Sequence, residues 1–368
     1  MYRDSMQGAA PHQPRIVFAL MSAVAPAAGV DQLVRALAPH TVLVHHDFSQ
    51  QPEFRLTAPN AVFVPEPVPT GWAVFGFVDG IFHTLRHALA EHDFDYLQLL
   101  SPSCLPIKPM AQFEQHLCGP ADAHFDCIDL LDDVDALMSV GYRAFTPEGS
   151  LRHRFTRRLT WTYFGREHAR RDEAGIWIRS GGRSGVLPKL ALGTMRAVSR
   201  PALGRHLFDR DFRPYYGSVW FGARRSVLRS LVDGFDRQGV RAYFSRLRIA
   251  EEFLIPTLLM QAGASKGPIN HYVHRFNEAH PGLLLEEHLE MLRGQPAFFA
   301  RKFPVDVDAR VRQRVLQELC TGGAPGAGES VAAPAPLEQH PARGPIAAEP
   351  VADAAAAAMI KGRAIGRA

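Results

Sequence analysis

Lysine is scarce in this chain. Five of its 41 cationic residues are Lys (Lys108, Lys189, Lys266, Lys302 and Lys361), and the rest are Arg. Cysteine is scarcer still. The four present (Cys104, Cys118, Cys127 and Cys320) form no Cys-x-x-Cys pair and no cluster with His. That spacing excludes a zinc ribbon or finger and a disulfide-dense secreted scaffold. An excess of one charge is also missing: 41 cations against 37 acids leave +4 over 368 residues. Such a balance suits an anionic small ligand and is too weak to indicate nucleic acid. No apolar run reaches the ~20 residues of a spanning helix. The most apolar stretch, Ile16–Val30, has Arg15 before it and Ala23, Ala25 and Ala27 behind, an arrangement that imitates a signal peptide. The residues before Arg15 are polar and include Asp4, and the run passes straight into a helical pattern at Leu33, Val34 and Leu37. A buried first strand followed by a helix accounts for both features.

What is present is alternation of strand and helix patterns. Ile16–Ser22, Thr41–His46, Ala61–Val64 and Tyr96–Ser101 read as strands. Val30–Leu37, Phe77–Ala90 and Lys108–Leu117 read as helices, with Cys127–Leu131 as a further strand. The expected fold is α/β, a mostly parallel sheet with helices on both faces. In such sheets ligands sit outside the carboxyl ends of the strands. The character changes near residue 150: Arg152–Arg171 is crowded with Arg, His and aromatics, and a Gly/Ser/Arg turn follows at Ser180–Gly185. Gly217–Phe221, a helix at Ala250–Gln261, a strand at His271–Phe276 and a helix at Leu285–Leu292 come next. The expected organisation is a flexible arm at 1–14, an α/β nucleotide-binding half at 15–150 and an acceptor or catalytic half at 151–320. The tail at 321–368 is Ala/Gly/Pro-rich, with too little apolar side chain to order itself.

Sheets of this kind that bind nucleotide sugars often hold a divalent metal with Asp-x-Asp at the end of a central strand. Four such triplets occur, at Asp93/Asp95, Asp133/Asp135, Asp209/Asp211 and Asp306/Asp308. In a chain with 37 acids, most of these are expected in solvated loops or at helix starts. Asp93 and Asp95 precede the strand Tyr96–Ser101, at its amino end. Its carboxyl end reads Ser101-Pro-Ser-Cys-Leu-Pro-Ile-Lys108, without a carboxylate. No metal site is expected, so cationic side chains must neutralise a bound diphosphate. His83 and His87, four apart with Glu91 following, read as a polar helix face; the Glu that zinc peptidases place after the first His is missing.

Several ordered blocks resemble glycosyltransferase family 14, the core-2/I-branching N-acetylglucosaminyltransferases and peptide O-xylosyltransferases. They are Val42-Leu-Val-His-His-Asp47, Trp72 with Val78-Asp79, and Phe94–Ser101 leading into Leu105-Pro-Ile-Lys108. Gly217-Ser-Val-Trp-Phe221, Ala250-Glu-Glu-Phe253 and Phe299-Ala-Arg-Lys-Phe303 complete the series. The last resembles the family's F-A-R-K-F-D, and Gly217–Phe221 its G-S-x-W-F; these two are the most specific. The resemblance runs from about Ile16 to Leu319 and is thin between about 130 and 210. Two departures stand near the pockets: Pro102 and Cys104 replace the family's Gly and Asp, and Trp72-Ala-Val replaces Trp-Gly-Gly. They leave donor and acceptor open.

The resemblance implies a GT-A-like fold and a metal-independent, inverting transfer from a UDP-sugar, UDP-GlcNAc or UDP-xylose, with no cofactor. The acceptor is expected to be a hydroxyl of a glycan, surface polysaccharide or glycoconjugate. Glu252 takes the position of the family's catalytic base, and Lys302 that of its diphosphate-binding Lys. Arg301 and Arg275 are candidates for a second cation. Asp47 ends the second strand, where a carboxylate reaches ribose or uracil or simply stays in its loop. Trp220 and Ser218 shape the sugar pocket or belong to the core; Glu251 orients the acceptor or is a helix-start acid. The run Arg154–Tyr163, with Arg157, Arg158 and Trp161, is read as a solvated amphipathic helix ahead of a carbohydrate or anionic-polymer surface. The expected location is cytoplasmic, with peripheral contact at the inner membrane and no nucleic-acid partner. The alternative is a transferase fold without turnover that retains only nucleotide or glycan binding.

Overall fold

A computed structural model of the chain describes residues 13–164, 168–171, 176–181, 185–205, 208, 211–274, 276–277 and 280–321. The expected tail from 322 onward, most of the expected arm, Arg275 and Asp209 lie outside the described residues. The first half runs β1 (Ile16–Ser22), α1 (Ala27–Ala36), β2 (Thr41–His46), β3 (Ala61–Phe63), α2 (Gly76–Glu91), β4 (Tyr96–Leu100), β5 (Leu105–Pro106) and α3 (Met110–Leu117). It continues through β6 (Ala123–His124), β7 (Cys127–Asp129) and α4 (Val134–Phe145). Then come α5 (Leu151–Tyr163), β8 (His168–Arg171), β9 (Trp177–Ser180), α6 (Val186–Arg205), β10 (Tyr215–Gly217), β11 (Gly222–Arg224), α7 (Arg225–Asp236) and α8 (Val240–Phe244). The chain closes with α9 (Glu251–Gln261), β12 (Lys266–Gly267), β13 (His271–Val273), β14 (Phe276–Asn277), β15 (His280–Pro281), α10 (Leu289–Arg293), β16 (Phe299–Arg301) and α11 (Arg310–Arg314).

Seven strands form the main sheet in the order β12-β6-β11-β4-β1-β2-β3. All pairings are parallel except those of β11, which runs antiparallel to both β4 and β6. The fold is therefore the expected α/β type, with strands from both sides of residue 150 in one sheet. Every residue of β1 is buried, as in a strand covered on both faces. Alternation sorts its side chains: Val17, Ala19 and Met21 join the core under α2, α4, α7 and α9, while Ile16, Phe18 and Leu20 join the one under α1 and α3. Two cores, one on each face, follow from that period of two.

One expectation changes. Cys127–Leu131 does hold a strand, but β7 is shorter and pairs antiparallel with β10, outside the main sheet. Gly217–Phe221 runs from the last residue of β10 up to the start of β11. The cause is steric. A Cβ on Gly217 would overlap the Asp126 carbonyl, and one on Gly222 would overlap the Tyr96 hydroxyl and the Gln98 amide. Each glycine lets a strand pass closer than any other residue allows.

Candidate functional site

The parallel strands β1, β2 and β4 end on one edge, at Ser22, His46–Asp47 and Leu100–Ser101. Antiparallel β11 runs the other way, with Gly222 opposite Gln98, so Trp220, two residues earlier, reaches the same edge. A second sheet, β13-β16-β5, grows from the chain after β4 and carries His271 and Arg301 there. The sequence-designated residues Trp220, Ser218, Arg301, Lys302, Glu251 and Glu252 gather around this edge.

α9 supplies the acids. It is apolar nearly all round, with Phe253, Leu254, Ile255, Leu258 and Leu259 buried, as in a helix enclosed by the core. Ile249 enters it with φ of 53°, a left-handed conformation that a β-branched residue adopts only under constraint. The Glu251 side chain turns inward and its Oε2 finds no partner. Burial, then the charge of Glu252, pushes its carboxyl up to about 7; its own amide and Arg143 oppose the shift. One helical step on, the Glu252 side chain remains 30% exposed and accepts a bond from Arg143 Nη2 at 3.1 Å. Pro256 stands four residues after Glu252 and has no N–H for its carbonyl.

Arg143 comes from α4 and lies over the rings of Phe253, at 5.2 Å, and Tyr216, at 6.0 Å. Burial opposes its charge, but the Glu252 carboxylate together with Tyr216 and Tyr142 outweighs it and its pKa rises. Its Nη1 has no partner. Sequence reasoning missed this residue. The signal was an Arg on the apolar stripe of α4, in line with Ala136 and Val140.

Arg301 lies 4.8 Å over the Trp220 ring, and its Nε is buried without a partner. Burial lowers its pKa, against the opposing pull of the Cys104 sulfur and the Glu252 carboxylate, so this guanidinium stands within electrostatic reach of the Glu252 carboxylate. The backbone here is fixed: the Arg301 carbonyl accepts from His274 N–H at 3.0 Å and the Lys302 carbonyl from Leu284 N–H at 2.8 Å. The Lys302 side chain is partly exposed. Ser218 Oγ accepts from the Trp220 amide at 3.2 Å, and Trp220 itself is buried in the core.

Beneath Arg301, Cys104 Sγ meets His271 Nε2 at 3.2 Å and Ser101 Oγ at 3.0 Å. Both Cys104 and His271 are enclosed. Burial pushes the thiol up and the imidazole well down, and the Arg301 charge lowers the imidazole further. A neutral thiol beside a neutral imidazole is inert as a nucleophile. Cys104 therefore supports the floor of the site.

Asp47 occupies the same edge, yet its bonds run to its own loop and to the segment that precedes α2. It accepts from Ser49 Oγ at 2.6 Å, Gln50 Nε2 at 2.7 Å and Thr70 N–H at 2.6 Å. Burial would raise its carboxyl, but these bonds outweigh it and hold the group near 2.

The three Asp-x-Asp triplets that lie wholly among the described residues have other employment. Asp93 and Asp95 pair with Arg15. Asp133 caps α4 through Ala136 N–H at 2.7 Å, and Asp135 accepts from the Tyr163 hydroxyl at 3.1 Å. Asp306 accepts from the Asp308 amide at 3.0 Å. His83 Nε2 lies 2.9 Å from the Pro65 carbonyl. Among the described residues, no group of three or more His, Cys, Asp or Glu converges as a metal cage.

No family model matches the chain, and no curated protein matches it in sequence. Among solved structures, its fold is similar to the apo structure of WbbM, a bifunctional glycosyltransferase, with a TM-score of 0.34 and 7% identity. The match covers 79% of this chain and 46% of that one. The chain thus spans about half the length of that protein.

Proposed function

We propose that the chain is a metal-independent, inverting glycosyltransferase. It moves N-acetylglucosamine or xylose from a UDP-sugar to a hydroxyl of a glycan or glycoconjugate. One juxtaposition carries this reading: a partly exposed carboxylate, Glu252, oriented by Arg143 at 3.1 Å, within electrostatic reach of a guanidinium over Trp220 whose Nε has no partner. Inversion by direct displacement needs a base for the acceptor proton and fixed positive charge for the leaving diphosphate.

In this reading Glu252 takes the proton of the acceptor hydroxyl while its oxygen bonds to the anomeric carbon. The bond from that carbon to the diphosphate oxygen breaks, and the electron pair leaves with UDP. Arg301 and Lys302 meet the charge that grows on the diphosphate. Glu251, buried and held protonated up to about pH 7, adds no competing negative charge beside the base below that pH. Two neighbouring carboxyls, one buried and one partly exposed, fit different roles in one site.

The test separates the two halves of the reaction. Glu252→Gln keeps the shape and the Arg143 contact but loses the base, so turnover falls by roughly 10²–10⁴-fold while calorimetric UDP affinity holds. Lys302→Ala weakens UDP binding and lowers turnover together. Loss of UDP binding in Glu252→Gln, with both properties intact in Lys302→Ala, refutes the two roles. A binding module without turnover predicts UDP affinity with no release of UDP from any donor.

A further inference from the structure

Helix α5 is built the wrong way out for a surface helix. Its buried residues are His153, Thr156, Thr160 and Tyr163. Thr160 Oγ1 bonds the Met138 carbonyl at 2.8 Å, and the Tyr163 hydroxyl bonds Asp135 at 3.1 Å, which ties this polar face to α4. The outward face carries Leu151, Phe155 and Trp161. Helix α6 packs on α5 and begins with Val186, Leu187 and Leu190 turned out. Those six side chains are between 48% and 81% exposed. A Cβ on Gly181 would meet the Tyr163 and Phe164 rings, so the chain passes close to the end of α5 just after β9.

The charge on this pair is of one sign. Arg152, Arg154, Arg157 and Arg158 are exposed on α5, and Lys189, Arg196 and Arg200 on α6. Neither helix contains an aspartate or glutamate, although acids make up 37 of the 368 residues. A soluble surface seldom keeps several large apolar side chains together in water without a use for them.

We propose that the outer face of α5 and α6 docks on an anionic lipid bilayer, lying in the plane of the headgroups. The apolar side chains gain by entering the acyl boundary, and the cations gain from the negative surface. Leu151, Val186, Leu187 and Leu190 decide against a nucleic acid, because branched aliphatic chains neither stack on bases nor bond phosphates. No described helix is long and apolar enough to cross a membrane, so the contact is peripheral. The same α4 that anchors this pair also carries Arg143, which places the bilayer contact on the element that orients Glu252. The proposal does not depend on the transfer reading, since docking is read without donor or acceptor.

Vesicle co-sedimentation of the full chain tests it, with phosphatidylcholine alone and with phosphatidylcholine mixed with phosphatidylglycerol, at low and high salt. Binding is expected only with phosphatidylglycerol, and it weakens as salt rises. Arg154→Ala/Arg158→Ala lowers the partition coefficient roughly 30-fold, on the order of fivefold per cation near an anionic leaflet. Leu187→Ser/Leu190→Ser lowers it about tenfold through lost apolar burial. Both pairs are exposed, and unchanged melting curves show that the fold is intact. Equal binding to the neutral vesicles, no binding to the anionic ones, or full binding by either double variant overturns the proposal. Preferential capture of single-stranded RNA over anionic vesicles overturns it as well.

Discussion

Glu251→Gln is expected to stabilise the protein, and more so as pH rises. In the folded chain the Glu251 carboxyl is held up at about 7 against an ordinary 4.5. The folded state therefore binds more protons than the unfolded state between those values. Stability then falls as pH climbs through the window, since its slope follows the protons bound by the unfolded state minus those bound by the native one. The whole shift corresponds to about 3 kcal/mol at 1.36 kcal/mol per unit. Gln keeps the shape and does not titrate, so it escapes that loss. The assay is urea unfolding of both proteins at pH 4.5 and pH 8, compared as a difference so that other titrations cancel. Near pH 4.5 the two differ little; at pH 8 the variant is ahead by about 3 kcal/mol. Glu252→Gln removes the neighbouring charge and shrinks this difference. A gap that does not change with pH, or one that favours the wild type at pH 8, refutes the placement of Glu251 in the interior.

His45 and His124 work in the opposite direction, because burial foremost holds each near 4. The unfolded state takes up their protons first, so the wild type should lose stability as pH falls from 6.5 to 4, seen as a falling melting temperature. Arg143→Met leaves Glu252 without its partner; turnover should drop on the order of 10–10²-fold through lost orientation, with calorimetric UDP affinity preserved. An equal loss of UDP binding would place Arg143 on the donor instead. Thiol titration should label Cys118 quickly, since it is exposed, whereas Cys104 is buried and reacts only in denaturant.

The elements legible in the sequence are those whose side chains all face one kind of environment. β1 is nearly all apolar, β4 mostly and β2 by half, and α2 repeats its apolar residues every three or four positions. β6, β11 and β12 are two or three residues long and show no period, so only the sheet itself reveals them. The Arg154–Tyr163 run has the pattern of a solvated amphipathic helix, which does not tell which face meets the core; threonines and a histidine are buried while Leu151, Phe155 and Trp161 stay outside. In the site, Glu252, Arg301 and Trp220 were legible through local motifs. Arg143 was not, because it lies 109 residues from its carboxylate partner and an isolated Arg on a helix carries no mark of what it meets. Asp47 shows the reverse: a strand-end carboxylate that looked available is engaged by Ser49, Gln50 and Thr70.

The most direct test of the account is the fate of donor sugar in the presence of EDTA. The full chain is incubated with UDP-GlcNAc or UDP-xylose without acceptor, and the first free sugar is read by proton NMR before it mutarotates. Both donors are α-linked, so displacement at the anomeric carbon, with water standing in for the acceptor hydroxyl, releases UDP together with the β anomer. The account predicts that product from one of the two donors in EDTA, and its loss in Glu252→Gln. No UDP release from either donor, release of the α anomer first, or activity that appears only when Mn²⁺ is restored contradicts it.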